Sequence, residues 1–154
     1  MKIKDKYYEN IEGLLYNYNM LKINIEIADK QLEELKNEDG MTAISYDGIQ
    51  TSATNKISSM TEIVAERNIA KEELIIKRKE KLLEKLNKLD RLLEELKETE
   101  QKIVSMYYIE GWQWWQIAYE VKYSERHCKR IRTEAIRKLA VGLYGEKVLE
   151  KEVM

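Results

Sequence analysis

The sequence predicts an all-α fold: a long N-terminal helical hairpin or coiled coil, then a domain of three short helices. Three observations carry this expectation. The 154 residues contain no proline, so the commonest helix breaker is missing. Charged residues make up 36% of the chain and are mostly Glu and Lys, while Leu and Ile supply most of the apolar content, which is the composition of long helices rather than sheets. Apolar residues also recur at alternating steps of three and four over two long stretches, the period of a helix face.

The first stretch runs from about Lys6 to Lys36, with Ile11, Leu14, Tyr18, Leu21, Ile25, Ala28, Leu32 and Leu35 in a heptad seam. Leu15, Ile23 and Ile27 widen that stripe, which suggests packing against more than one neighbour. Asn37, Glu38, Asp39 and Gly40 read as a helix stop. A loop is expected at about 38–58, where small and polar residues dominate and neither period holds. Ser59 with Glu62 then resembles a capping box opening a second long helix to about Leu96. The seam of that helix is Ile75, Leu82, Leu86, Leu89, Leu93 and Leu96, interrupted by Lys79. The expected organisation is therefore a helical module at 1–97, a compact domain at 98–144 and a tail at 145–154. Two heptad helices joined by a loop form either an antiparallel hairpin or an intermolecular bundle, so a homo-oligomer through the N-terminal helices stays open.

From Thr99, a candidate cap, the pattern changes to three short helices. The first covers about 99–109, with Ile103, Val104, Tyr107 and Tyr108, and ends at Gly111. The second covers about 113–120, with Ile117, Ala118 and Val121 apolar and Ala118 small enough for a close approach. Lys122 and Tyr123 form a turn, and Ser124 caps the third helix. At about 100° per residue, Cys128, Ile131, Ala135 and Leu139 share one face of that helix, while Arg126, Arg130, Thr133 and Arg137 share the opposite one. From Ser124 to Lys138 there are six basic residues and two acidic ones.

An apolar face toward two short helices and a basic face outward are what a helix-turn-helix presents to a major groove. The expected DNA-binding residues are Ser124, Glu125, Arg126, His127, Lys129, Arg130, Thr133 and Arg137. Arginine there can grip phosphate or pair bidentately with guanine, Glu125 can accept from a cytosine amine, and Thr133 can meet a phosphate or a thymine methyl.

The elements Tyr108-Ile109-Glu110-Gly111, Trp114-x-x-Ile117-Ala118, Ser124-Glu125-Arg126 and Ile131 resemble the fourth region of bacterial sigma factors. Over most of its length the chain is similar to the ArpU-like phage transcriptional regulators, which join a coiled-coil N-terminal part to such a domain. The segments Ile44-Ser45-Tyr46-Asp47-Gly48 and Gln50-Thr51-Ser52 share in this resemblance. It implies control of phage or prophage late genes. Two positions depart from the pattern. Lys122 stands where glycine is usual, so its backbone is expected to avoid the strictly left-handed region, and Cys128 replaces a branched aliphatic residue.

Other chemistries find little support. One His and one Cys cannot supply the three or four ligands of a zinc site, so Cys128 reads as a small buried apolar residue and no metal or cofactor is expected. No phosphate loop, nucleophile elbow or histidine–carboxylate pair with a partner is present, so no enzyme activity is expected. Trp112 and Trp114 read as core, Trp115 as exposed, and Tyr7, Tyr8, Tyr16 and Tyr18 as packing residues. A single cysteine, no signal segment and no long apolar run point to a cytoplasmic protein without a membrane span. The expected function is DNA-binding transcription regulation with double-stranded DNA, and RNA polymerase as a second partner. The alternatives are a phage small terminase subunit, which also joins such a domain to an oligomerising coil, and a helical protein that binds a host factor.

Overall fold

The computed structural model describes residues 2–44 and 55–151. Six α-helices succeed one another among them: α1 (Asp5–Tyr16), α2 (Tyr18–Ile44), α3 (Asn55–Glu95), α4 (Glu98–Val104), α5 (Trp114–Val121) and α6 (Glu125–Tyr144). A π-helical turn, Ser105–Ile109, prolongs α4, and a 3₁₀ turn, Glu146–Val148, follows α6. The described residues hold no strand, and their β-type pairing is confined to an isolated bridge between Ile3 and Leu149. The fold is all-α.

The chain forms two compact units, Met1–Leu21 together with Glu84–Met154, and Lys22–Leu83. The boundary expected at residue 98 falls inside the first unit of this division. The division arises from α1, which packs on α6 and on the π-helical turn. Ile11 and Leu15 are fully buried there, and Leu86 and Leu89 are also enclosed in this first unit. Heptad spacing identifies the face a helix buries but not the partner that covers it.

The helix expected as one piece over 6–36 is interrupted at Asn17, whose backbone (φ −96°, ψ 6°) leaves the helical region. The Asn17 side chain donates to the Gly13 carbonyl at 2.8 Å, and Leu21 N–H donates to the Asn17 carbonyl at 2.8 Å, so the chain passes directly from α1 into α2. An asparagine amide competing for backbone carbonyls is a natural place for such an offset.

Ile3, near the start of the chain, is buried beside Val148 in the same unit. Lys4 N–H donates to the Val148 carbonyl at 2.9 Å, and Glu150 N–H donates to the Lys2 carbonyl at 3.2 Å. A Cβ at Gly142 would collide with Leu92, so the missing side chain lets α6 approach α3 closely.

The second unit consists of the remaining parts of α2 and α3. Lys79 of α3 forms an ion pair with Asp29 of α2 within it. Ile25, Ala28, Leu32 and Leu35 on α2, and Ile75, Lys79 and Leu82 on α3, are half-buried along the expected seam. Both helices outrun their expected ends. Gly40 lies inside α2, and Ser59 lies inside α3 rather than at its cap, because α3 already begins at Asn55. A lone glycine costs a helix only about 1 kcal/mol, too little to stop one that has no proline to end it. The Ser45 to Thr51-Ser52 part of the ArpU-like resemblance lies outside the described residues.

Candidate nucleic-acid interface

Residues 98–144 form the three-helix arrangement expected, with small shifts at its first cap. Lys97 rather than Thr99 precedes α4, and Glu98 and Glu100 occupy its first turn, where acids oppose the positive end of the helix dipole. In the π-helical turn Glu110 N–H reaches back five residues to the Ser105 carbonyl, at 3.0 Å. The widened turn lets consecutive tyrosines serve two layers. Tyr107 stacks on Trp114 with ring centroids 4.2 Å apart, and Tyr108 meets Tyr16 of α1 edge-on at 4.8 Å.

Gly111 (φ +75°) then reverses the chain, as expected. Gln116 accepts from the Gln113 N–H at 3.0 Å, fixing the start of α5. Trp112, just ahead of α5, packs in the same cluster as Ile117, as a hydrophobic staple does. Lys122 is left-handed (φ 63°, ψ 36°), which corrects the expectation that it would avoid that region. The tight step from α5 to α6 demands the conformation whatever residue supplies it, and a non-glycine residue meets this at a cost of about 1 kcal/mol. Ser124 caps α6 as read from the sequence: its hydroxyl accepts from His127 N–H at 3.2 Å.

Ile103, Ile117 and Cys128, one from each helix, are fully buried and form the centre of this module. Burial raises the Cys128 thiol pKa, so the sulfur stays protonated and apolar in character. Ala135 and Leu139 continue the buried face of α6 as expected, and Ile136 and Ala140 join them. The wider arc follows from three neighbours, since α1, α4 and α5 all pack on α6.

That wider arc alters the basic face. Arg132 is half-buried, with its guanidinium carbon 5.2 Å from the Trp114 ring and 5.8 Å from the Tyr107 ring. It faces the hydroxyl of Tyr108, which itself donates to Glu12 of α1 at 3.2 Å. Arg132 is thus a packing residue that joins α1 to the three-helix module. Burial, and next the charge of Glu12, push the Tyr108 phenol far above its ordinary range. Burial and a hydrogen bond to Tyr107 raise Tyr16 to about 12.

Of the expected DNA-contacting residues, Ser124, Glu125, Arg126, His127, Lys129 and Arg130 are exposed on the first two turns of α6 and its cap. Thr133 and Arg137, expected on the same outward face, are half-exposed. The Thr133 hydroxyl donates to the Lys129 carbonyl at 3.0 Å, and Arg137 pairs with Glu134 at 2.6 Å. Lys138 is likewise engaged, with Glu100 at 2.7 Å. Arg126 and Arg130 lie outside every ion pair among the described residues, and Lys129 reaches over the Trp114 ring at 5.8 Å. The free positive charge therefore concentrates at the N-terminal half of α6.

Trp114 is half-buried as a stacking core residue, whereas Trp115 is 65% exposed and Tyr119, one turn on, is 85% exposed. Tyr119 was not singled out from the sequence, although its spacing of four from Trp115 on α5 was there to be read. Among the described residues no group of three His, Cys, Asp or Glu could hold a metal ion, and no helix is long and apolar enough to cross a membrane.

The fold and site define an all-α protein with a capped three-helix module whose third helix carries a free basic edge. By sequence the chain belongs to the DUF722 family, described as a protein of unknown function, which matches residues 7–141. No curated protein and no solved structure matches it.

Proposed function

We propose that the chain is a sequence-specific, double-stranded-DNA-binding transcription regulator, with α6 as the reading helix. The observation that carries this reading is the pairing of a left-handed step and a serine cap with exposed Arg126, Lys129 and Arg130 on the first turns that follow. The N-terminal turns of such a helix meet base edges, and flanking cations meet phosphate. The resemblance to ArpU-like regulators extends the proposal to phage or prophage late genes, to contact with RNA polymerase, and to self-association through the hairpin helices.

Selection of binding sites from a random duplex pool, followed by fluorescence anisotropy over a salt series, tests it. Wild type should retain one sequence class. Arg126→Ala and Arg130→Ala should each reduce the salt slope by about one, because each removes one phosphate-neutralising charge. If a variant with Arg126, Lys129 and Arg130 all changed to Ala binds the selected site as wild type does, the reading is wrong.

A second reading, an interaction protein, draws on the exposed Trp115 and Tyr119. Isolated aromatics at that exposure are characteristic anchors of protein interfaces. Purified RNA polymerase and a Trp115→Ala, Tyr119→Ala double variant distinguish the two: loss of polymerase binding with DNA binding intact favours the second role.

A further inference from the structure

A groove of about 360 Å³ lies between α4 and α6. Lys97 and Glu100 line it from the α4 side, and His127, Arg130 and Glu134 line it from the α6 side. Both acids are already neutralised. Glu100 pairs with Lys138 at 2.7 Å, and Glu134 pairs with Arg137 at 2.6 Å. Lys97 and Arg130 are exposed and lie outside every ion pair among the described residues. The groove therefore presents two unmatched cations, one from each side, and no unmatched acid. Like charges lining one groove repel, and an anion seated there relieves that repulsion.

We propose that this groove binds a backbone phosphate of duplex DNA, which makes Lys97 a DNA-binding residue outside the reading helix. The assignment deepens the function proposed above and rests on it. The position of the groove on α6 selects a DNA phosphate. At about 100° per residue, Arg130 lies about 40° to one side of Arg126 and His127 about 100° to that same side, whereas Lys129 lies about 60° to the other. The exposed edge centred on Arg126 is thus flanked by a cation on each side. A helix in a major groove, about 12 Å wide, has a sugar–phosphate strand on each side of it. Lys129 serves one strand, and Arg130 together with Lys97 serves the other. The Thr99 and Tyr123 hydroxyls also line the groove and are neutral donors of the kind that meet phosphate oxygens.

A phosphate contact fixes the register of a protein on the duplex and carries no base information. The groove therefore contributes affinity that is the same for every sequence, and sequence preference stays with the exposed edge of α6.

Fluorescence anisotropy of the full chain over a salt series tests the groove, on the selected duplex and on a scrambled duplex of equal length. Lys97→Ala, at an exposed position, should lower the salt slope by about one and weaken both duplexes several-fold to the same extent. Lys97→Arg keeps the charge and should keep the slope. Lys102→Ala removes an exposed cation of α4 that does not line the groove, and should leave the slope unchanged. An unchanged slope in Lys97→Ala, or an equal loss in Lys102→Ala, overturns the site and leaves α6 as the reading helix. Calorimetry with inorganic phosphate separates a free ion from the DNA backbone. Saturable phosphate binding below about 1 mM that Lys97→Ala abolishes, with the DNA slope unaltered, assigns the groove to a free anion and overturns the DNA contact. A wild type that binds neither duplex overturns the reading helix and the groove together.

Discussion

Leu89 and Leu82 occupy the same heptad position on the same helix, seven residues apart, yet Leu89 is wholly buried and Leu82 remains half-exposed. Leu89 belongs to the unit built from the chain's first 21 residues and its last 71, whereas Leu82 belongs to the two-helix unit. In the first unit α1, α4 and α5 all close on α6, and side chains such as Ile103, Ile117 and Ile136 lose all contact with water. In the second, no described side chain is buried. Ile23, Ile27, Ile63, Ile69 and Leu74 are close to half-exposed or more. Two helices can shield a seam only from one side, and full enclosure takes a third element. The same leucine-rich pattern therefore carries very different stabilisation in the two units.

The sharpest way to break this comparison is to truncate both leucines. Leu89→Ala should cost about 3 kcal/mol, because it leaves a cavity in an enclosed core. Leu82→Ala should cost about 1 kcal/mol, because much of its surface is already wet. Hydrogen exchange read segment by segment checks both. Equal losses at the two positions would mean that the boundary at residue 84 has no energetic content.

A smaller effect, confined to the first unit, comes from its tyrosines. Tyr16 is raised from 10.0 to about 12, and Tyr108 is raised further. A phenol with a raised folded pKa keeps its proton in the native state while the unfolded chain ionises. The stabilisation is complete below pH 10 and declines as pH rises from about 10 toward 12. Alkaline denaturation of residues near α1 should therefore precede that of the hairpin, and Tyr108→Phe should flatten the decline. An unchanged profile in that variant would remove Tyr108 as its source.

The smallest effect tests the step into α6. Lys122→Gly should raise stability by about 0.5 kcal/mol, since relief of left-handed strain outweighs the added freedom of the unfolded chain. A loss on thermal melting would show that the Lys122 side chain has a stabilising contact that offsets its strain.

Much of this architecture was legible in the sequence. Helix-face arithmetic found Cys128, Ala135 and Leu139 because a helix buries one arc, and Ser124 announced itself because few residues cap so well. Gly111 marked its turn for a similar reason. Arg132 was missed on the buried arc because a guanidinium counts as polar in any periodicity, whereas in the fold its flat face is covered by two aromatic rings. The docking of α1 was also illegible. Tyr16, Tyr108 and Glu12 meet across more than 90 positions, and no local pattern encodes a partner so remote. Of the basic face, the exposed first turns were read correctly. The pairing of Arg137 with Glu134 was not read, because the direction of one side chain does not reveal its neighbour.

The attachment of α1 to the far end of the chain also has a meaning in time. The Tyr108–Glu12 bond spans 96 positions, and the Ile3–Leu149 bridge spans still more. Contacts among α4, α5 and α6 are local by comparison and close sooner. As the chain emerges from a ribosome at about 5–20 residues per second, α1 waits on the order of ten seconds for α6 to be made. Ile11 and Leu15 stay uncovered throughout that wait, so α1 is exposed to chaperones and to mispairing for longer than the helices that finally cover it.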